Sequence, residues 1–237
     1  VTDREPPELW VAQLGEIPYA EALALQQRVR GARQAGLVPD TLLLLEHPPV
    51  YTRGRRSAPG ELSLGPEWYR ERGIEIVEVN RGGKITYHGP GQLVGYPIVG
   101  VADVVEYVRT LERALVEALG QAGVAARTRV EDGADYTGVW VQERKIASIG
   151  VHVARGVTTH GFAVNVENDL EPFSWVVACG LPEVSMTSLA IEQPGAETMR
   201  CFRRRTAFCV ARALGRRQRI VSLERLEQAI GAVPASR

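Results

Sequence analysis

The sequence predicts one α/β domain, of the α+β kind, built on a mixed and largely antiparallel sheet flanked by helices. Three observations carry this. Extended segments cluster in the middle of the 237 residues, with helical patterns interspersed and dominating the C-terminal part. Hairpins outnumber clear βαβ units among them. No repeat, low-complexity tract or long linker divides the chain, so residues 1–237 read as one domain, with residues 1–8 as a flexible tail.

The elements follow in order. "LWVAQLG" reads as a strand, and "PYAEALALQQRVRGARQAG" as an amphipathic helix closed by glycine. "DTLLLLEHPPVYTRGRR" gives a buried strand, a Pro-Pro break and a second extended piece; "GIEIVEVN" is another strand, leading into a glycine-rich stretch. "QLVGYPIVG" reads as a strand. Asp103 then starts a helix with Glu106 three positions on, as in a capping box, and Val104, Val108, Leu111, Leu115 and Leu119 line one face. "TGVWVQERKIASIGVHVARGVTTHGFAVNV" is a run of strands turning at Arg155-Gly156. "ETMRCFRRRTAFCVARALG" and "SLERLEQAIG" close the chain as helices.

Composition narrows the function classes. Formal charge is balanced, 28 basic against 28 acidic residues, and no apolar run approaches the ~18 residues of a membrane span. The first ten residues carry no signal-peptide apolar region, so a cytoplasmic protein is expected. Three cysteines without a C-x-x-C pair argue against a disulfide framework and a structural zinc site. Cys201 and Cys209 read as small core residues. His47, His88, His152 and His160 show no metal-ligand spacing, so neither metal nor cofactor is expected. Lysine is the informative residue: among the 28 basic residues only Lys84 and Lys145 are lysine. Arginine keeps its proton in proteins, whereas a buried lysine can act as a neutral amine. The pattern points to one or both positions needing an amine, unless it is chance.

"RGGKITYHGPGQLVGYP", Arg81 to Pro97, looks like a phosphate loop but fails both tests. Lys84 is followed by Ile85 rather than Ser or Thr, and "GPGQLVG" misses the dinucleotide spacing and leads into a strand. Between the glycine pairs, Lys84, Thr86 and His88 share one face of a short strand, and Ile85 and Tyr87 the other. Spacing alone leaves two readings, a ligand wall and a tight hairpin turn.

Cys179 ends an apolar run and precedes Gly180, a place where sulfur can be exposed beside backbone N–H groups, though a lone cysteine is more often an inert core residue and the position alone does not decide. A nucleophilic cysteine needs a partner to take its proton. Lys145, sharing a strand face with Ala147, Ile149 and Val151, is the candidate; the alternative is a lysine reaching out at a strand edge. A two-residue turn at Arg155-Gly156 would pair Val151 with His160 and put His160 and Phe162 on the face of Lys145.

Together, "LLLLEHPPVYTRGRR", "RGGKITYHGPGQLVGYPI", "RKIASIGVHV", "THGFAVN" and "ACGLPEVSMTSL" resemble the lipoyl(octanoyl) transferases over nearly the whole chain. The resemblance implies a fold similar to the catalytic domains of biotin protein ligase and lipoate ligase. It implies transfer of octanoyl from acyl carrier protein, through an enzyme thioester, to a lysine of lipoyl domains of 2-oxoacid dehydrogenases or of the glycine cleavage H protein. By motif, Cys179 becomes the nucleophile and Lys145 its partner. The acyl-binding segments become Arg81, Gly82, Gly83, Lys84, Ile85, Thr86, Tyr87 and His88, then Ser148, Ile149 and Gly150, and Gly161, Phe162 and Ala163. This sequence has Ala178 where proline is common in the family and Tyr87 where tryptophan also occurs. A thioester donor and an amine acceptor require no ATP, which distinguishes this reading from an ATP-dependent ligase or a non-catalytic carrier-binding module. Arg53, Arg55 and Arg56 are candidates for steering an acidic carrier, and Arg203, Arg204 and Arg205 read as a solvated face.

Overall fold

A computed structural model describes residues 5–176, 184–195 and 199–231. In chain order the elements are β1 (Glu8–Glu16), α1 (Tyr19–Gln34), β2 (Asp40–Glu46), β3 (Val50–Arg53), α2 (Pro66–Glu71), β4 (Glu75–Glu78), β5 (Ile85–His88) and β6 (Gln92–Ile98). There follow α3 (Val104–Gln121), β7 (Gly138–Val141), β8 (Arg144–Ala154), β9 (Val157–Asn165), α4 (Leu189–Glu192), α5 (Met199–Ala213), β10 (Arg217–Val221) and α6 (Leu223–Ile230).

Seven strands form the main sheet in the order β10-β1-β2-β6-β9-β8-β7. The pairs β10–β1 and β1–β2 are parallel and the remaining four antiparallel, which is the mixed, largely antiparallel sheet expected. Helices cover both faces, and β2 shows why its apolar run is continuous. Leu42 and Leu44 pack in the core beneath α3 and α5, while Leu43 and Leu45 point into the core shared with α1 and α6. All four are fully buried, each contributing about 1.5–3 kcal/mol of transfer free energy.

The α3 cap forms as expected on one side: Asp103 accepts from the N–H groups of Val105 and Glu106. Glu106 does not return the bond but pairs with Arg113. Leu111, Leu115 and Leu119 are buried as read, whereas Val104 is exposed and Tyr107 takes the first apolar place on that face. Cys209 is a core residue, but Cys201 is exposed.

Two features escaped the sequence reading. β3, β4 and β5 make a separate three-stranded sheet, order β4-β3-β5, carried on an aromatic cluster of Tyr51, Tyr69, Tyr87 and Phe173. β10, "RQRIV", is an edge strand whose first four residues are exposed; repeated arginine hides its extended character. Arg203 also departs from a solvated face, pairing with Glu46 at 2.6 Å with its side chain mostly covered. Among the described residues no helix is long and apolar enough to cross a membrane.

Candidate active site

The Arg155-Gly156 turn joins β8 and β9 as a two-residue hairpin with the expected register, Val151 opposite His160 and Ile149 opposite Phe162. One face expectation fails. His160 has φ of 57°, the left-handed region, and this breaks the alternation of β9. Phe162 joins the core beneath α3, but the His160 ring turns to the α1 side, where Tyr19 Oη lies 3.3 Å from its Nδ1 and Asn80 Oδ1 lies 2.7 Å from its Nε2.

A cavity of about 640 Å³, counting its open mouth, runs between this hairpin and the glycine-rich segment. The two walls are tied together, since Gly82 N–H donates to Val151 O at 2.9 Å. Arg81 is buried and donates to Thr52 O, Thr52 Oγ1 and Gly82 O, so its guanidinium braces the loop.

Most of the expected binding residues line this slot: Arg81, Gly83, Lys84, Ile85, Thr86, His88, Ser148, Ile149, Gly150, Gly161, Phe162 and Ala163, with Lys145. Gly82 does not; it packs behind, against Gly150. Tyr87 does not either, because its ring points away to Tyr51 and Phe173. Its variation from the family pattern therefore stays out of the slot. The Gly89–Gly91 half of the motif is a turn into β6, tied back by Glu167 N–H to Gly91 O. The segment thus divides, its first part lining the cavity and its second part forming a turn. Cys179 and Ala178 lie outside the described residues.

Lys145 is 3% exposed, not a strand-edge residue reaching for water. Its Nζ stands 5.2 Å from the centre of the Trp140 ring. Gly138, at φ 136°, gives the side chain its channel: a Cβ there would lie 2.7 Å from Lys145 Cε and 2.4 Å from Ala147 O. Beyond the end of the β8–β9 pairing, Ser185–Thr187 takes the vacated edge. Lys145 N–H donates to Ser185 O, and Thr187 N–H to Lys145 O, both at 2.9 Å. The chain emerging from the Cys179 segment is therefore fastened to the backbone of Lys145.

The buried end of the slot holds groups the sequence did not single out, Tyr19 and Tyr96, beside His88 and His160. His47 sits behind them, its Nε2 2.7 Å from Tyr96 Oη. Burial pushes the imidazole of His47 down to about 4 and that of His160 down to about 3. It holds His88 well below the usual value, aided by His47 nearby. Burial also raises the Tyr19 phenol to about 12. These histidines and the Tyr19 phenol are neutral at pH 7, so the charge felt at the inner end is that of the Arg81 guanidinium, which helps to hold His88 and His160 unprotonated. Thr86 Oγ1, also on the slot, has no hydrogen-bond partner among the described residues. Among those residues no cluster of His, Cys, Asp or Glu could hold a metal ion.

A slot enclosed by a glycine segment and a hairpin, with the Lys145 amine buried in it, is the kind of site a catalytic domain offers a small substrate group. The model of the lipoyl protein ligase A/B catalytic domain matches residues 18–207, and the chain belongs to that family. Within it the chain stands with the octanoyltransferases. The octanoyltransferase of Acidobacterium capsulatum is 48% identical over 196 residues, spanning 76% of this chain and 78% of that protein. Those of Solibacter usitatus (49% over 185 residues, 76% and 82%) and Mycobacterium leprae (48% over 196, 79% and 80%) are as similar. In fold, the chain resembles a lipoate-protein ligase A crystallised with ATP, with a TM-score of 0.76 at 20% identity over 94% and 93% of the two chains. A bipartite lipoate protein ligase from Thermoplasma acidophilum gives 0.73 at 18% identity over 95% and 91%.

Proposed function

We propose that the protein transfers octanoyl from acyl carrier protein to a lysine of lipoyl domains in lipoate biosynthesis, through a thioester on Cys179 with Lys145 as acid and base. The observation that carries this is the fastening of Ser185–Thr187 to the backbone of a buried Lys145. Cys179 is six positions before Ser185 and three after Val176, which packs in the aromatic cluster with Ile85 of the slot wall. Three extended residues span about 10 Å, so both flanks of the cysteine start near the slot.

In this scheme the Lys145 amine takes the Cys179 proton, and the thiolate attacks the donor carbonyl. The pantetheine thiolate leaves with the proton returned from the Lys145 ammonium. The acceptor lysine then attacks the new thioester, losing its proton to Lys145, and the Cys179 thiolate leaves and is reprotonated. One thioester replaces another, and aminolysis runs downhill to an amide, so no ATP enters. Thr86 Oγ1 has a hydrogen bond to offer an acyl oxygen. The acceptors implied are the lipoyl domains of 2-oxoacid dehydrogenases and the glycine cleavage H protein, in the cytoplasm.

The test is intact-mass analysis after mixing with octanoyl-acyl carrier protein without ATP. An octanoyl adduct is expected that is absent in Cys179→Ala and discharged by added lipoyl domain. Transfer without any adduct would overturn the covalent route, and ATP-dependent transfer surviving Cys179→Ser would make the protein a ligase.

A further inference from the structure

That chemistry leaves Lys84, the second lysine, without a role. Its ammonium lies 3.9 Å from Asp135 Oδ2, while Arg56 Nη1 donates to Asp135 Oδ1 at 2.9 Å. The three come from separate segments: the turn after β3, the glycine-rich loop, and a 3-10 turn between α3 and β7. All three line the slot. Arg56 and Asp135 are about half-exposed, whereas Tyr19, His88, Tyr96 and His160 are buried, so the ion pair marks the mouth.

The two cations are held beside each other by backbone. Arg55 N–H donates to Arg81 O and Arg56 N–H to Gly83 O, each at 3.0 Å. Asp135 satisfies them unequally. Its carboxylate meets the guanidinium at hydrogen-bond distance but leaves the ammonium beyond it. The free oxygens of a phosphate ester point in tetrahedral rather than coplanar directions, and so suit a fork and a point charge approaching from different sides.

We propose that Arg56 and Lys84 form an anion site at the mouth for the phosphate ester of the donor's carrier arm, and that Asp135 fills this site until the donor arrives. This rests on the octanoyl-transfer reading. Gly138, against Lys145, is three residues from Asp135, so the site lies within about 10 Å of the glycine that borders the reacting amine. A pantetheine arm, with its two amide units, spans that interval.

Two readouts test it. In calorimetric titration, 4′-phosphopantetheine binds wild-type protein at least about ten-fold tighter than pantetheine, as a charge-assisted contact implies. In Lys84→Met and Arg56→Gln the preference falls toward one, and Asp135→Asn tightens phosphopantetheine. In the second readout, octanoyl-phosphopantetheine exceeds octanoyl-pantetheine in kcat/KM for enzyme acylation, and Lys84→Met and Arg56→Gln erase that ratio. Equal binding of the two arms by wild type, a preference retained in both variants, or weaker binding in Asp135→Asn overturns the site. So does a Lys84→Met effect confined to KM for the lipoyl domain, which would assign the cations to an acceptor carboxylate. Phosphate-selective binding without acylation by either donor would leave the site standing and sink the transfer reading.

Discussion

Gly95 on β6 lies opposite Phe162 on β9, and the phenyl ring rests directly on the glycine. A Cβ at position 95 would be 2.1 Å from Phe162 Cζ and 2.6 Å from Cε1 and Cε2. Ordinary carbon contacts begin near 3.4 Å, so in Gly95→Ala the ring must recede by roughly 1.3 Å. It can yield toward the core of Leu93 and Val164, both fully buried, or toward the slot it lines. A close-packed core resists, so the slot gives way. Overpacking of this kind costs about 1–3 kcal/mol, or about 2–12 °C in Tm for a chain of this length. A shortened slot should also favour shorter acyl chains, since one methylene in an apolar pocket is worth about 10–200-fold in kcat/KM. The assay is kcat/KM for hexanoyl, octanoyl and decanoyl donors alongside thermal unfolding. The expected result is a lower Tm and a selectivity shifted from octanoyl toward hexanoyl. An unchanged Tm together with an unchanged hexanoyl-to-octanoyl ratio would refute the packing argument, and a lower Tm with unchanged selectivity would place Phe162 outside the acyl path.

Other expectations follow from the same geometry. Lys145→Arg keeps a cation but cannot shuttle a proton, so transfer should fall by about 10² or more with little change in Tm; full activity would mean that charge alone suffices. The buried histidines set an acid limit. Because His47 and His160 titrate near 4 and 3 in the fold but near 6.5 unfolded, the unfolded chain binds more protons below about pH 6.5. Stability should therefore be fully present above that pH and be lost as pH falls toward 4 and 3, with each histidine contributing a slope of up to about 1.4 kcal/mol per pH unit. Urea unfolding at pH 7.5, 6 and 5 checks this, and a flat profile would contradict it. His160→Gln should flatten the slope, since the amide does not titrate.

Much of the molecule was legible because periodicity and punctuation are local. "TLLLL" announces a strand buried on both faces, Asp103 begins a helix, and Arg155-Gly156 sets a register that came out as read. β10 was missed because exposed arginines mask an edge strand that β1 alone recruits. Tyr19 and Tyr96 were missed as slot residues because one reads as a helix start and the other as a strand core. Only the pairing of distant segments brings them to one cavity. His160 defeated the alternation rule through a single left-handed residue, which a sequence of L-residues does not advertise.

The sequence by itself determined the family, the mixed sheet, the segments that wall the slot, and the two lysines among so many arginines. Tertiary structure decided which of those residues face the cavity and which brace it. It sent Tyr87 to an aromatic cluster and set Gly82 behind the wall. It also buried Lys145 where the chain leaving the Cys179 segment is fastened to it, and put Lys84 beside Arg56 and Asp135 at the mouth. The physical reason is that identity and spacing fix local backbone preference. Burial, facing and charge partners depend on contacts between residues far apart in the chain, and these exist only once both sheets have formed.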